Sequence, residues 1–113
     1  MFRIETSDPR EVDREMKTTV VRYQAKPERA AENQQLIEDV FAALEERQPH
    51  GFSYKVFRLE DGVSFIHVVT EHDVDEPDSL QGVQAFQAFV ANIAHRCDVV
   101  PVAMGATVVG GYG

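Results

Sequence analysis

The hydrophobic pattern of the chain alternates between the period of a strand and the period of a helix. The run TTVVRYQA, residues 18–25, is rich in β-branched and aromatic residues and stops at Lys26-Pro27, which predicts a first β-strand. From Glu28 to Gln48, apolar residues recur at three- and four-residue steps, while acidic residues lie largely elsewhere around the wheel. This spacing predicts an amphipathic helix whose apolar positions are Leu36, Ile37, Val40, Phe41 and Leu44.

Two further strand-like runs, FSYKVFRLE and VSFIHVVTEH, flank the dipeptide Asp61-Gly62. Aspartate and glycine tolerate the positive φ angles of a type I′ turn, so this pair predicts a two-residue turn between adjacent antiparallel strands. Three cross-strand pairs then share one sheet face: Tyr54 with Val69, Val56 with His67, and Arg58 with Phe65.

A second helix is predicted to open at Asp78, a candidate N-cap with Gln81 three residues further on. Residues 98–101 predict its end, and VAMGATVVGGYG predicts a fourth strand followed by a glycine-rich C-terminus. The helix has one apolar stripe, which must face a core: Val83, Phe86, Phe89, Val90, Ile93 and Cys97.

The order βαββαβ predicts a ferredoxin-like α+β fold, in which a four-stranded antiparallel sheet of order 4-1-3-2 carries both helices on one face. The other face of the central hairpin is also apolar, whereas a sheet with one wet face should alternate cleanly. We therefore expect a second copy of the chain to cover this face, giving a homodimer. The apolar residues on it are Phe57, Leu59, Ile66 and Val68.

The first sixteen residues differ from the rest of the chain. They hold eight charged residues and few apolar ones, which predicts a polar N-terminal arm ahead of a single domain over residues 17–113. Asp8-Pro9 followed by Glu11 has the spacing of a helix start, so a short helix is the alternative. Met16 stands directly before the first strand and is a second candidate start of translation.

Composition and charge narrow the classes of function. A formal net charge of -8 argues against a nucleic-acid partner, which normally requires a cationic surface. The chain has no apolar run near the roughly 18 residues that a membrane span needs, so we expect no membrane partner. Its single cysteine, Cys97, fits a reducing compartment. We expect a cytoplasmic protein.

The stretch HVVTEHD, residues 67–73, has the composition of a metal site or an acid/base pair. Side chains alternate along a strand, so His67 and His72 project to opposite faces. His67 and Glu71 share a face but lie roughly 13 Å apart, too far to bind one ion. We therefore predict no metal site. His67 lies in mid-strand and needs a hydrogen-bond partner, either as a structural histidine or as a pocket acid, base or ligand-orienting donor.

Several segments together resemble the antibiotic biosynthesis monooxygenase-like proteins: TTVVRYQAKPERAAEN, GFSYKVFRLEDGVSFIHVV, FQAFVANIAHRC and the closing VVGGYG. The resemblance covers residues 17–113. It implies a dimeric α/β barrel of ferredoxin-like topology, in which two sheets pack face to face and each subunit has a small cavity between sheet and helices. Some members of this family oxidise polyketide-derived phenols with oxygen and no metal or flavin, and others degrade haem.

Few of the functional residues known in this family have a counterpart in this sequence. Tyr54 matches a tyrosine often found in the second strand of these proteins, where it can donate a hydrogen bond to a phenol or quinone. Haem-degrading members use an asparagine in strand one, a tryptophan near the end of strand three and a histidine in helix two. Only His95 has a comparable place here, because VVRYQA has no asparagine and the chain has no tryptophan. We therefore expect no haem and no other cofactor.

Two hypotheses follow from these features. The first is a cofactor-independent monooxygenase on a small aromatic or quinone-type molecule, in which Tyr54 orients the substrate oxygen and His67 takes or returns a proton. Its pocket is expected to be lined by Tyr23, Phe86 and Phe89. The second is a non-catalytic small-molecule-binding or interaction module of the same fold, which uses the cavity or only the dimer surface.

Overall fold

The computed structural model describes residues 16–72 and 78–113. The prediction of an N-terminal arm falls on residues 1–16, and of these only Met16, which starts the first strand, lies within the described residues. None of the helices in the described ranges is long and apolar enough to cross a membrane.

Four strands and two α-helices follow one another in the predicted βαββαβ order. The strands are β1 (Met16–Ala25), β2 (Phe52–Arg58), β3 (Ser64–His72) and β4 (Cys97–Ala106), and the helices are α1 (Ala30–Arg47) and α2 (Gln84–Val90). Short 3₁₀ turns cover Pro27–Arg29, Leu80–Gly82 and Ile93–Arg96. The sheet has the order β2-β3-β1-β4 with antiparallel pairing throughout, so the predicted ferredoxin-like fold and strand order are confirmed.

The core lies between one face of the sheet and the helices. Tyr23, Ala25 and Phe65 project from β1 and β3 into a cluster with Ile37 and Val40 of α1. Phe89 of α2 also belongs to this cluster, and the partly buried Val21, Tyr54, Val56 and Val69 pack against it. Because side chains alternate along a strand, this arrangement also places His67 on the helix-covered face.

The β2–β3 hairpin has the predicted register but a different turn. Tyr54 pairs with Val69 as expected. The Leu59 amide still donates to the Ser64 carbonyl, so four residues rather than two form the loop. Among the described residues, Gln48 and Asn92 are the non-glycine residues with positive φ, so Asp61 lacks the geometry of a type I′ turn. Its carboxylate instead accepts hydrogen bonds from the amides of Val63 and Ser64, at 3.0 and 2.8 Å.

The prediction of one long second helix ending at residues 98–101 is wrong. Helix α2 ends at Val90, and Asn92 adopts the left-handed conformation with φ of 62°. Arg96 then folds back and donates to the carbonyls of Phe89 and Ala91, which satisfies backbone acceptors that a helix end leaves free. Strand β4 therefore begins at Cys97, several residues earlier than predicted.

Asp78 was also wrongly predicted as the N-cap of this helix. Its Oδ2 accepts a hydrogen bond from the backbone amide of His50 at 2.7 Å, and the same oxygen lies 3.0 Å from His50 Nδ1. The carboxylate thus joins the segment before α2 to the segment after α1 and caps neither helix.

The opposite face of the sheet is open and apolar. Phe57, Val102 and Met104 are 47%, 51% and 67% exposed there. A shallow groove of about 670 Å³ runs across this face between β1, β3 and β4. Large apolar side chains in such numbers on one sheet face indicate an interaction surface.

Candidate functional site

Five polar side chains from five different parts of the fold meet beneath the helices. Tyr54 comes from β2, His67 from β3, Tyr23 from β1, Asn33 from α1, and Arg96 from the 3₁₀ turn that precedes β4. We call these five residues the polar chain. They join elements that are distant in sequence, because Asn33 and Arg96 alone are separated by 63 positions.

Each member of the polar chain is hydrogen-bonded to the next. Tyr54 Oη lies 2.7 Å from His67 Nδ1, and His67 Nε2 lies 2.8 Å from Tyr23 Oη. The amide Nδ2 of Asn33 donates to the same Tyr23 hydroxyl at 2.8 Å. Arg96 Nε donates to Asn33 Oδ1 at 3.1 Å. The result is one continuous path from Arg96 to Tyr54.

Four of the five members are almost fully buried. Asn33 is 0% exposed, Arg96 2%, Tyr23 3% and His67 4%. Tyr54 is half-buried and is therefore the member that a ligand can reach. In the described part of the chain, no buried side-chain nitrogen or oxygen lacks a hydrogen-bond partner, so the polar chain meets the requirement for burying polar groups.

Aromatic rings enclose the polar chain. The ring of Phe89 stacks on His67 with centroids 5.2 Å apart, and Phe41 stacks on Tyr54 at 5.0 Å. Phe86 packs edge-on against Tyr54 at 6.2 Å. His67 is 4% exposed beneath these rings, and the low local dielectric at this buried position strengthens its hydrogen bonds.

Burial also fixes the protonation states of the titratable members. Removal from water lowers the pKa of His67 to about 4, so its imidazole is neutral at physiological pH. The same cause raises the pKa of Tyr23 and of Tyr54 well above that of a free phenol. Both tyrosines therefore keep their hydroxyl protons, and the site holds two phenols and one neutral imidazole.

Tyr54 lines a small cavity between α1 and β2. The cavity is open to solvent and has a volume of about 270 Å³, just below the roughly 300–1,000 Å³ of small-molecule pockets, and Glu45 is the acidic residue on its wall. Its other lining residues are Phe41, Leu44, Gln48, Pro49 and Phe52.

The predicted site residues are partly brought together by the fold. Tyr54 and His67 are in direct hydrogen-bond contact, and the Tyr23 hydroxyl joins them from β1. Phe86 and Phe89 pack against the rings of Tyr54 and His67, whereas the walls of the 270 Å³ cavity come from α1, β2 and the segment between them. That Phe86 and Phe89 line a ligand pocket stays a prediction.

Asn33 and Arg96 were not predicted as site residues. Asn33 stands in the polar run AENQQ, where composition suggests a solvated helix face, and Arg96 stands in a segment predicted as helix. The only sequence signal for Asn33 is its position four residues before Ile37, which places it on the apolar stripe of α1.

Among residues 16–72 and 78–113, no three His, Cys, Asp or Glu side chains come together in a way that could hold a metal ion. His67 and His72 of the stretch HVVTEHD lie in different surroundings, since His67 is buried and His72 is exposed at the strand end.

The burial of His67 predicts a specific loss of stability in acid. The unfolded chain binds a proton on this histidine below about pH 6.5, whereas the folded protein binds it only near pH 4, so stability falls as the pH drops through that window. Between about pH 7 and pH 4.5, we expect His67 alone to remove about 2 kcal/mol from the free energy of unfolding.

Urea unfolding at both pH values should show this loss in the wild type and not in His67→Gln. The exposed His95 is the control, because His95→Gln should keep the wild-type pH dependence. Equal losses in wild type and His67→Gln would contradict a buried neutral imidazole.

Comparison with known proteins places this geometry in a known fold. No protein-family model and no curated protein matches the sequence. Among solved structures, a predicted antibiotic biosynthesis monooxygenase from Caulobacter crescentus superposes with a TM-score of 0.63 at 22% identity, covering 85% of this chain and 92% of that one. Rv0793 from Mycobacterium tuberculosis superposes with a TM-score of 0.65 at 13% identity, covering 87% of this chain and 99% of Rv0793. A variant of SnoaB, a cofactor-independent oxygenase from Streptomyces nogalater, superposes with a TM-score of 0.53 at 17% identity. The match covers 86% of this chain and 96% of the SnoaB chain. The chain therefore has the fold of the antibiotic biosynthesis monooxygenase structures over nearly its whole described length.

Proposed function

We propose that the protein is a cofactor-independent monooxygenase that oxidises a small aromatic or quinone-type molecule in the cavity beside Tyr54. One observation carries this proposal: the Tyr54 hydroxyl is hydrogen-bonded to a buried, neutral histidine while the residue itself lines a cavity that suits a small ring. Support comes also from the shared fold with SnoaB, which is a cofactor-independent oxygenase.

The proposed reaction converts a phenol to a quinone. For 1-naphthol as probe, one molecule of oxygen gives 1,4-naphthoquinone and one molecule of water. The electron-rich ring reduces oxygen, a bond forms between the ring carbon opposite the hydroxyl and one oxygen atom, and the O–O bond then breaks. The retained oxygen becomes the second carbonyl, and the other leaves as water with the phenol proton and the ring hydrogen. The substrate supplies all the electrons.

Each member of the Tyr54–His67 pair has a role in this reaction. Tyr54 contacts the substrate oxygen and orients the ring. His67 is too deeply buried to reach the substrate, so it takes or returns a proton through the Tyr54 hydroxyl.

Removing the Tyr54 hydroxyl should abolish most of the activity. We expect Tyr54→Phe to lower kcat for 1-naphthol by at least about a hundredfold, the usual contribution of a positioned proton-transfer group. Formation of 1,4-naphthoquinone and consumption of oxygen, measured together, should fall in parallel. Tyr112→Phe is the matched control, because Tyr112 is fully exposed near the C-terminus.

The alternative is a non-catalytic binding module, and one observation favours it. His67 has both ring nitrogens hydrogen-bonded to tyrosines and is 4% exposed, as a structural histidine would be. No oxidation of 1-naphthol by the wild type, or full activity in Tyr54→Phe, would contradict the enzyme and leave this alternative.

We also propose that the open sheet face is covered by a second copy of the chain. Exposed apolar residues on this face include Phe57 of β2 and Val102 and Met104 of β4, and the groove beside them is lined mainly by apolar side chains. A two-fold pairing would remove this surface from water on both copies at once.

A further inference from the structure

Arg96 is a buried cation whose side chain can only donate hydrogen bonds. The guanidinium contacts the carbonyls of Phe89 and Ala91 and the Oδ1 of Asn33, and it lies over the ring of Phe89 at 5.3 Å. Since a guanidinium has no acceptor, the atom of Asn33 that faces it must be the oxygen. The orientation of the Asn33 amide is therefore fixed by chemistry.

This orientation sets the direction of every other hydrogen bond in the polar chain. Asn33 turns its NH₂ group to Tyr23, so the Tyr23 oxygen acts as an acceptor at that contact. The Tyr23 proton then has one partner, His67 Nε2, which must be the unprotonated ring nitrogen. A neutral imidazole keeps its proton on the other nitrogen, so Nδ1–H donates to the Tyr54 oxygen.

The opposite direction would leave a buried proton without a partner. If His67 Nε2 carried the hydrogen, the Tyr23 oxygen would accept from both His67 and Asn33, and its own hydroxyl proton would face no acceptor in the polar chain. Tyr23 is 3% exposed, so solvent cannot supply one. A buried unpaired donor costs about 1–3 kcal/mol, enough to decide between two tautomers.

We infer that Asn33 and Arg96 are positioning residues that make the polar chain donate in one direction only, from Arg96 towards Tyr54, so that Tyr54 offers its hydroxyl proton to the ligand. The direction follows from the polar chain itself, and its meaning for the reaction rests on the proposed function. The ligand must present an acceptor at Tyr54, such as a carbonyl or phenol oxygen.

The direction also selects between the two roles proposed for His67. A polar chain that donates towards the ligand can return a proton to it, but it cannot take one, because Nδ1 already carries a hydrogen. Glu45, the acidic residue on the cavity wall, disfavours a full negative charge on the incoming ligand. The site therefore suits an oxygen that becomes more negative during the reaction, as the phenol oxygen does when it gives up its proton.

Exchanging Asn33 for aspartate should reverse the polar chain. Asn33→Asp has nearly the same shape, but a carboxylate only accepts, so the Tyr23 hydroxyl would donate to it. His67 Nε2–H would then donate to Tyr23, and Nδ1 would accept from Tyr54. Nitrogen-15 NMR of the imidazole at about pH 7 reports the tautomer directly. We expect the Nδ1–H form in the wild type and the Nε2–H form in Asn33→Asp, with His67→Gln used to assign the signal.

Two further variants test whether the change of His67 tautomer is specific to position 33 or follows from any added charge or lost hydroxyl near the site. Ala31→Asp adds the same charge at an exposed position of α1 and should leave the Nδ1–H form unchanged. Tyr54→Phe should also keep it, because the direction is set from the Arg96 end. An Nε2–H form in the wild type, or no change in folded Asn33→Asp, would overturn the inference. The spectra need no substrate, so absence of 1-naphthol turnover would contradict the proposed function and leave the direction of the polar chain standing.

Discussion

Replacing Arg96 with methionine is expected to lower the free energy of unfolding by about 3–5 kcal/mol. The guanidinium satisfies three acceptors, of which the Phe89 carbonyl and Asn33 Oδ1 are buried and the Ala91 carbonyl is partly buried. Methionine fills similar space but donates to none of them, and each unpaired buried acceptor costs about 1–3 kcal/mol. The change also removes the hydrogen bonds that hold the turn after α2. We therefore expect the pairing of β4 with β1 to become less stable at Cys97.

Urea unfolding of Arg96→Met against Arg47→Met measures this effect. Arg47 is exposed at the end of α1, and its replacement should change stability by no more than about 0.5 kcal/mol. Similar values for the two variants would show that Arg96 does not hold the turn and that the polar chain tolerates loss of its first donor.

Introducing a charge on the open sheet face should dissociate the proposed dimer. Met104 is 67% exposed on β4, beside Val20 in the register of the sheet. In a two-fold interface, Met104→Asp buries two carboxylates without partners, one from each copy. We expect the dissociation constant to rise by at least about a thousandfold, equivalent to about 4 kcal/mol.

Sedimentation equilibrium at several concentrations distinguishes the two states. Val90→Asp is the matched control, because Val90 is an exposed apolar residue at the end of α2, away from the open face. We expect the wild type and Val90→Asp to be dimers and Met104→Asp to be a folded monomer. A monomeric wild type, or an equally dimeric Met104→Asp, would rule out pairing through this face.

The parts of the fold that depend on local patterns were predictable from the sequence. The strand order follows from the βαββαβ succession of elements, and the hairpin register follows from the turn signal at Asp61-Gly62. Both are confirmed. The turn type was wrong because the Asp61 carboxylate binds the amides that follow it, which composition does not reveal. Similarly, the end of α2 depends on where the Arg96 guanidinium reaches, which no local pattern encodes.

The candidate site likewise has one part that the sequence predicts and one part that it does not. Tyr54 and His67 were predicted to share a face, because cross-strand pairing in a hairpin fixes which residues are neighbours. Asn33 and Arg96 could not be predicted, since their contact joins residues 63 positions apart through the packing of α1 against the turn before β4. Helical periodicity places Asn33 towards the core but does not identify its partner.

The most direct test of the ligand site at Tyr54 is a crystal structure of the protein soaked with 1,4-naphthoquinone, an uncharged ring that carries only acceptor oxygens. We predict that the quinone lies in the cavity between α1 and β2, with one carbonyl oxygen within hydrogen-bond distance of Tyr54 Oη. A quinone bound only in the groove of the open sheet face, with the cavity beside Tyr54 empty, would contradict the account.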